Sequence, residues 1–423
     1  MMRQSATVAA ILGLMVCSST AEGKARFPVK VHGFVIGNLA VRSTGEKPPN
    51  GEGGAFVLGE ERLRLDISGA SNTGKVSFLV KGDVFHDAVA HRANGDLREG
   101  YVGYHTGPVD VRVGRQILTW GVGDLFFIND VFPKDWESFF SGRPMEYLKR
   151  GIDVFRAQYS SGALNVDLVA TPFFRSDALP SPKRFFLHNP FPGLPSQGEV
   201  RPPARAENME VAFRLYRSVS GFDVSLCGYR GFWRTPGIRA SSDNGTPQAI
   251  RFYPRLAVLG ASAQRNWLQG VISLEAGHYD SRDDRSGADP STPNSQWRVL
   301  AGYQRQLGRE LTANFQVYAE FMNRHEAYRR SLPPGSPLQD RVRGVFSVRL
   351  TQFLSYQSWK LSAFLAHSPT DNDYFLQPEI SHRLTDRLSA TLGANIFGGR
   401  RDTTFFGQMQ KDNNVYLSAR FDF

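Results

Sequence analysis

Residues 109–135 read VDVRVGRQILTWGVGDLFFINDVFPKD. Val109, Val111 and Val113 alternate with Asp110, Arg112 and Gly114. That period of two places one set of side chains on each face of a β-strand. The alternation then gives way to a long run rich in glycine, aromatics and aspartate, a composition that suits a loop. A strand that feeds a long loop reads as one stave of a wall sending a segment into an enclosed lumen. The remaining strands make most sense as the rest of that wall.

Working outward, the same period recurs along the whole chain. In the first strand, about residues 29–41, Val29, Val31, Val35, Leu39 and Val41 share one parity. Leu63, Leu65 and Ile67 oppose Arg62, Arg64 and Asp66 in the second, about 56–67. Leu311, Ala313, Phe315, Val317, Ala319 and Phe321 oppose Thr312, Asn314, Gln316, Tyr318 and Glu320 late in the chain. Tight turns, such as those near 70–74, 219–221 and 268–270, alternate with longer polar connections such as 42–55, 87–96, 120–149, 175–206 and 235–253. Counting between them predicts about 18 strands, with 16 as the nearest alternative. An even count puts both termini on the side of the short turns. This is an all-β reading: a transmembrane antiparallel β-barrel with short periplasmic turns and long external loops.

A soluble sandwich also alternates, so other features decide between them. The strands run longer than is usual in soluble sheets and reach the length of a tilted membrane strand. The N-terminus reads as an address. Arg3 precedes an apolar core over 6–16, and Ser19-Thr20-Ala21 offers a cleavage site, with Ala25 as a later candidate. The expected organisation is therefore a signal peptide over 1–21, or to 25, and a single barrel domain over 26–423. The barrel begins too soon after the leader to leave room for a separate plug domain. Of the two cysteines, Cys17 lies in the leader region and Cys227 alone would remain, so no intrachain disulfide is expected. Mean hydropathy is −0.33, which does not exclude a membrane barrel, because only every second residue need be apolar.

Two stretches resemble known proteins. The final strand, Tyr416 to Phe423, alternates and ends on Phe, and resembles the C-terminal signature by which outer-membrane barrels are recognised for assembly. Gly114-Arg115-Gln116, then Trp120-Gly121, then Asn129-Asp130 leading to Pro133-Lys134-Asp135, resembles a hallmark of a broad group of porin-like outer-membrane barrels. That group includes alginate-export-type barrels and uncharacterised barrels found beside transport genes. The resemblance implies an outer-membrane location and says little about cargo.

The loop 120–149 is expected to fold against the inner wall and narrow the lumen, with Trp120, Asp124, Phe126, Phe127, Asp130, Phe132, Asp135 and Trp136 as the constriction. Gly121 and Gly123 permit a sharp departure from the wall. Asp124, Asp130 and Asp135 are placed to cap turns through backbone amides, and the aromatics give the loop an apolar side. The proline-rich loop 175–206 reads as an external loop stiffened by its prolines. Face parity points Arg62, Arg64, Arg112, Arg214, Arg343, Arg349, Lys360 and Arg420 inward, with Glu320 among their acidic neighbours. With a net charge of +10, these residues as pore lining predict a modest preference for anions. If instead they pair across the wall, they shape the lumen and select little. Arg115 shares the parity of Val113, so it belongs at the rim unless the register slips.

No spacing for a metal site, a c-type haem, a phosphate-binding loop or a nucleophile elbow is present. His86 and Asp87 are the one adjacent pair worth weighing for a metal, and loop polars explain them better. The chain is read as a non-enzyme without cofactors. Its partners would be outer-membrane lipid and lipopolysaccharide and a small polar solute, with no nucleic acid because its basic residues are scattered. The leading function is a porin-like channel for a polar and, on the charge argument, anionic solute. The alternative is a structural conduit for a periplasmic exporter or electron-transfer protein. An outer-membrane hydrolase is the third reading. Solute, direction and oligomeric state are outside what these residues state.

Overall fold

The structure, a computed structural model, describes residues 27–423 apart from 52, 192, 244 and 245. The leader lies outside the described residues. The chain forms β1 (Val29–Arg42), β2 (Phe56–Ala70), β3 (Val76–Asp87), β4 (Arg92–Thr106), β5 (Val109–Gln116), β6 (Ile152–Ser160), β7 (Asn165–Thr171) and β8 (Ser196–Val200). There follow β9 (Glu210–Val219), β10 (Phe222–Phe232), β11 (Gly237–Asp243), β12 (Thr246–Phe252), β13 (Arg255–Trp267), β14 (Gly270–Ser281) and β15 (Gln296–Gln306). The last six are β16 (Leu311–Met322), β17 (Val342–Leu354), β18 (Trp359–Ser368), β19 (Asp373–Arg383), β20 (Leu388–Gly399) and β21 (Asn414–Asp422). All but β8, β11 and β12 belong to one 18-stranded sheet.

That sheet closes on itself. Each strand pairs antiparallel with the next, and β1 pairs with β21 from Phe34↔Asp422 to Arg42↔Asn414. The amide of Gly33 donates to the Phe423 carbonyl at 3.0 Å and the amide of Phe423 to that of Gly33 at 2.9 Å. Closure leaves no sheet edge with unpaired amides, which hydrocarbon would not tolerate. The short-turn end uses tight hairpins. Ser220-Gly221 and Leu268-Gln269 both take positive φ at their two central positions, the twist that suits a two-residue hairpin.

Side-chain direction separates a membrane barrel from a soluble one. Val415, Leu417 and Phe421 are 52, 51 and 46 % exposed on the outside, while Tyr416 and Ser418 are 4 and 8 % exposed inside. On β16, Phe315 and Val317 face out while Gln316 and Tyr318 are buried. The apolar face is thus the exposed one, the reverse of a water-soluble sheet. Aromatic residues collect at both rims. Tyr104, Tyr159, Trp267 and Phe423 are exposed near the short turns, and Phe56, Phe173, Trp297 and Tyr374 near the long loops. Such girdles mark the two membrane–water boundaries, and this barrel resides in an outer membrane.

All 18 expected wall strands are present. Three differences concern the connections. β4 begins at Arg92 and not near 97, so the connection after β3 is short. The expected loop 235–253 holds β11 and β12, which pair as a hairpin, and β12 pairs parallel to β8 from the 175–206 loop. This small sheet stands apart from the wall sheet, among the long loops. The long connection between β16 and β17 carries a two-turn helix, His325–Ser331. Strands and helices this short lack the periodic length that makes them visible in a sequence.

Candidate functional site

At Gln116 the chain leaves the wall, and it rejoins at Ile152. Between them lie the short helix α1 (Trp136–Phe140) and a 3₁₀ turn, Met145–Leu148. The Asp135 carboxylate accepts the Ser138 amide at 2.7 Å and so starts the helix. Trp120, Ile128, Phe132, Phe139 and Phe140 are all buried. They find that burial inside the barrel, because the segment lies against inward-facing residues on three sides.

On one side the loop hangs from Glu275 of β14. Its carboxylate accepts the amides of Val122 (2.9 Å), Gly123 (3.2 Å) and Asn129 (2.6 Å). Gly121 has φ +83°, and a Cβ there would stand 2.6 Å from the Glu275 carboxylate, so glycine permits both the turn and the close approach. Tyr279 donates its hydroxyl to the Ile128 carbonyl. Gln316 accepts the Asp124 amide at 3.0 Å, and Arg349 of β17 binds the Asp124 carboxylate at 2.5 and 3.1 Å. Phe126 stacks on Tyr318 at 5.2 Å. Trp120 donates to Asp167 of β7 at 3.2 Å.

On the second side α1 enters an aromatic nest. Phe140 meets Phe375 and Phe397 edge-on at 5.5 and 5.4 Å, and Phe139 meets Phe375 at 5.6 Å. Edge-to-face rings at these separations add about 0.5–1.5 kcal/mol per pair beyond their area burial. Asn395 of β20 donates to the Phe140 carbonyl at 3.0 Å, satisfying an orphan acceptor at the helix end.

On the third side the contact is ionic. Glu60 of β2 accepts Arg62 at 2.8 and 2.9 Å and the loop's Arg143 at 2.8 and 3.0 Å. Asp83 of β3 binds Arg62 at 2.7 Å and Arg64 at 3.0 Å. Arg64 reaches the Tyr147 hydroxyl (2.9 Å) and Glu146 (3.2 Å), and Arg420 reaches Glu146 from β21 at 3.0 Å. Arg98 donates to the carbonyls of Glu146 and Lys149. Burial alone would lower the pKa of Arg143, but Glu60 outweighs it and the pKa is raised. Lys134, fully enclosed, pairs with Asp130 at 3.0 Å and sits over the Phe127 ring at 4.4 Å. Burial lowers its pKa against the pull of Asp130.

The proline-rich segment is not merely external. Its first part is knitted to the crossing loop: Lys134 donates its amide to Asp177 at 2.8 Å, Trp136 donates to the Ala178 carbonyl at 2.9 Å, and Arg184 pairs with Glu137 at 3.1 Å. Phe185 is wholly buried. Asp412, in the connection before β21, joins this cluster. Its side chain has no exposure, Arg42 lies 3.2 Å away, and it accepts the Phe186 amide at 2.9 Å.

Burial pushes the Asp412 carboxyl up to about 7 from 3.8, against the lowering effect of Arg42 and the Phe186 amide. Below about pH 4 the group is protonated folded and unfolded, and contributes no pH dependence. Between about 4 and 7 only the unfolded chain ionises, so stability falls as pH rises, and it levels off above 7. The total is at most about 4 kcal/mol. Asp412→Asn holds the neutral form. Urea unfolding in vesicles should show the variant gaining on the parent as pH rises from 4.5 to 8. A constant difference would contradict this.

Of the residues singled out by sequence, the structure brings Trp120, Asp124, Phe126, Phe127, Asp130, Phe132, Asp135 and Trp136 into the crossing segment. Asp135 caps a helix; Asp124 and Asp130 instead bind Arg349 and two lysines, Lys134 and Lys149. Arg62 and Arg64 do not face open lumen, for their side chains are only 5 and 2 % exposed. Arg112 pairs with Asp110, Arg343 with Asp371, Lys360 with Glu379 and Arg420 with Asp422, while Arg214 stands 4.0 Å from Asp167. Glu320 accepts from Tyr318 and lies 3.6 Å from Arg298. Arg115 sits at the outer rim, bound to Asp153 at 2.7 Å. His86 bonds Glu61 while Asp87 turns inward to Arg184, so the two cannot share an ion.

Sequence reading missed Glu275, Glu60, Arg143, Asn129 and Asn395. For Glu275 a signal existed once register is known. Its wall neighbours are Ser262 and Leu300, neither charged. An inward acid with no cation beside it must meet something that enters from elsewhere.

Solved barrels share this architecture. OpdK of Pseudomonas aeruginosa, solved with vanillate, superposes with a TM-score of 0.56 at 10 % identity over 94 % of this chain and 100 % of its own. OccK2 (OpdF) of the same organism, solved with glucuronate, gives 0.56 at 9 % identity over 93 and 97 %. OccK11 (OpdR) gives 0.51 at 9 % over 93 and 95 %. At these identities the likeness is one of fold. No protein-family model matches the chain, and no curated protein matches its sequence.

Proposed function

We propose that this chain is an outer-membrane channel for a small polar solute, with residues 120–149 as its constriction and the leader 1–21 as its export signal. One observation carries the reading. A closed barrel with a polar inner face holds one of its own loops across the lumen, by contacts to β2, β14, β16, β17, β20 and β21. A purely structural wall has no use for such a device, whereas a channel needs a narrow, chemically lined passage.

The charge pattern argues for weak selectivity. Each of Arg62, Arg64, Arg112, Arg214, Arg343, Arg349, Lys360 and Arg420 has a carboxylate within 4.0 Å. A paired cation focuses little field. Small carboxylates are the solutes to try first, since glucuronate and vanillate accompany two barrels of this fold.

Planar-bilayer conductance of the refolded protein, with reversal potential across a KCl gradient, tests the reading. Open events with a small anion-selective reversal are expected. A folded barrel that never opens would favour the second reading, a conduit released by a periplasmic partner. The density of buried ion pairs holding the loop is what recommends that alternative.

A further inference from the structure

Many arginines of this barrel pair with a carboxylate, but three that do not gather on its outer face. Arg230, Arg255 and Arg282 share the outward parity of Leu226, Leu259 and Leu274. Arg282 donates its amide to the Arg255 carbonyl at 2.9 Å, so these two stand side by side on neighbouring strands. Arg230 opposes Ala257 and is thus one diagonal step from Arg255. The three line a cavity of about 340 Å³ together with Phe232, Met209 and Glu207.

Among the described residues, none of these three guanidinium groups has a hydrogen bond or ion pair within bonding distance. The nearby acids bond elsewhere, although the Asp280 carboxylate also feels the charge of Arg282. Glu207 stands 3.7 Å from Arg205, Asp280 is held by Arg285 at 2.6 Å, and Asp283 accepts the Arg255 amide at 2.7 Å. Like charges set side by side on a sheet repel, and among the described residues none of the three guanidinium groups has a carboxylate paired to it. Arg115, also outward and at the same end, has one in Asp153.

Height in the membrane says what the counter-charge is. Arg255 and Arg265 sit on the same face of β13, ten residues apart, with Ala257, Leu259, Ala261 and Ala263 between them. At about 3.4 Å per residue and a tilt of about 40°, that is about 26 Å of height, close to the apolar band of an outer-membrane barrel. The arginines therefore stand at the upper boundary of that band, where lipid headgroups begin. Guanidinium forks bind phosphate oxygens bidentately, with charge-assisted hydrogen bonds. We infer that Arg230, Arg255 and Arg282 form a binding site for the phosphorylated headgroup of an outer-leaflet lipid. This rests on the membrane placement of the wall and not on the channel reading.

Native mass spectrometry of the full barrel in detergent tests it, with bisphosphorylated lipid A, the same lipid after phosphate removal, and inorganic phosphate as competitor. Wild type should bind the phosphorylated lipid at least about tenfold more tightly than the dephosphorylated one. The double variant Arg255→Ala, Arg282→Ala should lose that preference. Arg255→Lys should keep part of it, and Arg115→Ala should keep all of it. Equal binding of both lipids by wild type overturns the site, and that comparison stands even if the double variant does not fold. An unchanged preference in a folded double variant overturns the assignment to these arginines. Displacement of the lipid by millimolar inorganic phosphate would make free phosphate the ligand and overturn the lipid as its source.

Discussion

Replacing residues 124–140 by a short glycine–serine linker is expected to raise single-channel conductance about threefold or more, because a bare 18-stranded barrel encloses a wide aqueous lumen. The wall should survive the change. Its strands are joined by continuous ladders and by the β1–β21 closure, none of which uses the loop. Deletion removes the Asp124–Arg349 pair, one of the three amides on Glu275, and the aromatic seat of Phe139 and Phe140 on Phe375 and Phe397. The wall groups left behind face a water-filled space, where a carboxylate or guanidinium is solvated and a ring is tolerated. Heat-modifiable gel mobility would report the intact barrel, and bilayer recording the pore. An intact barrel with unchanged conductance would mean that the narrowest point lies elsewhere. An increase would support the channel reading, and would also show that the closed state, if wild type is closed, is set by this loop.

The second large effect is expected at Glu60. Its carboxylate is buried and serves Arg62 and Arg143 together. Glu60→Ala leaves two buried guanidinium groups short of a partner, a change that costs about 3–5 kcal/mol when one member of a buried pair is removed. The cost falls unevenly. Arg62 still has Asp83 at 2.7 Å, whereas Arg143 keeps only the Ser138 hydroxyl at 3.2 Å and Asp87 at 3.7 Å. Relief is therefore expected by release of the loop, not by opening of the wall. Glu60→Ala should give noisier, larger channels and faster proteolysis at residues 141–149, with the barrel still folded. A double cycle with Arg143→Met should show strong coupling, because the second change removes the stranded charge. Simple additivity would mean that the pair does not hold the loop.

The wall and the loop differ in how visible they are along the chain. The wall is a local pattern: Leu311 to Phe321 and Val415 to Phe423 announce their faces by parity alone, and the apolar set proves to be the outer one. Turn residues and strand length are equally local, so the strand count and the alternation of short and long connections were readable without coordinates. The crossing loop was legible as a composition, glycines for departure and aromatics for packing. Asp135 even signals the start of its helix.

What the loop touches was not legible, because its partners lie up to 274 residues away along the chain, as for Arg420 with Glu146. Parity states that Glu275, Gln316, Asn395 and Glu60 face inward, but not at what height or opposite what. Those depend on the stagger of each strand and on closure of the ring. The same limit applies to charge. A face full of arginines reads as a basic lining until register puts Asp83 beside Arg62 and Arg64 and the crossing loop brings Asp124 to Arg349. By itself the sequence determined an outer-membrane-type barrel, its strand order and the loop that leaves the wall, since backbone periodicity is written residue by residue. Only the tertiary structure decided which charges cancel, which three arginines gather unpaired on the outer face, and where the loop is pinned, since an ion pair is a property of distance between segments and not of either one.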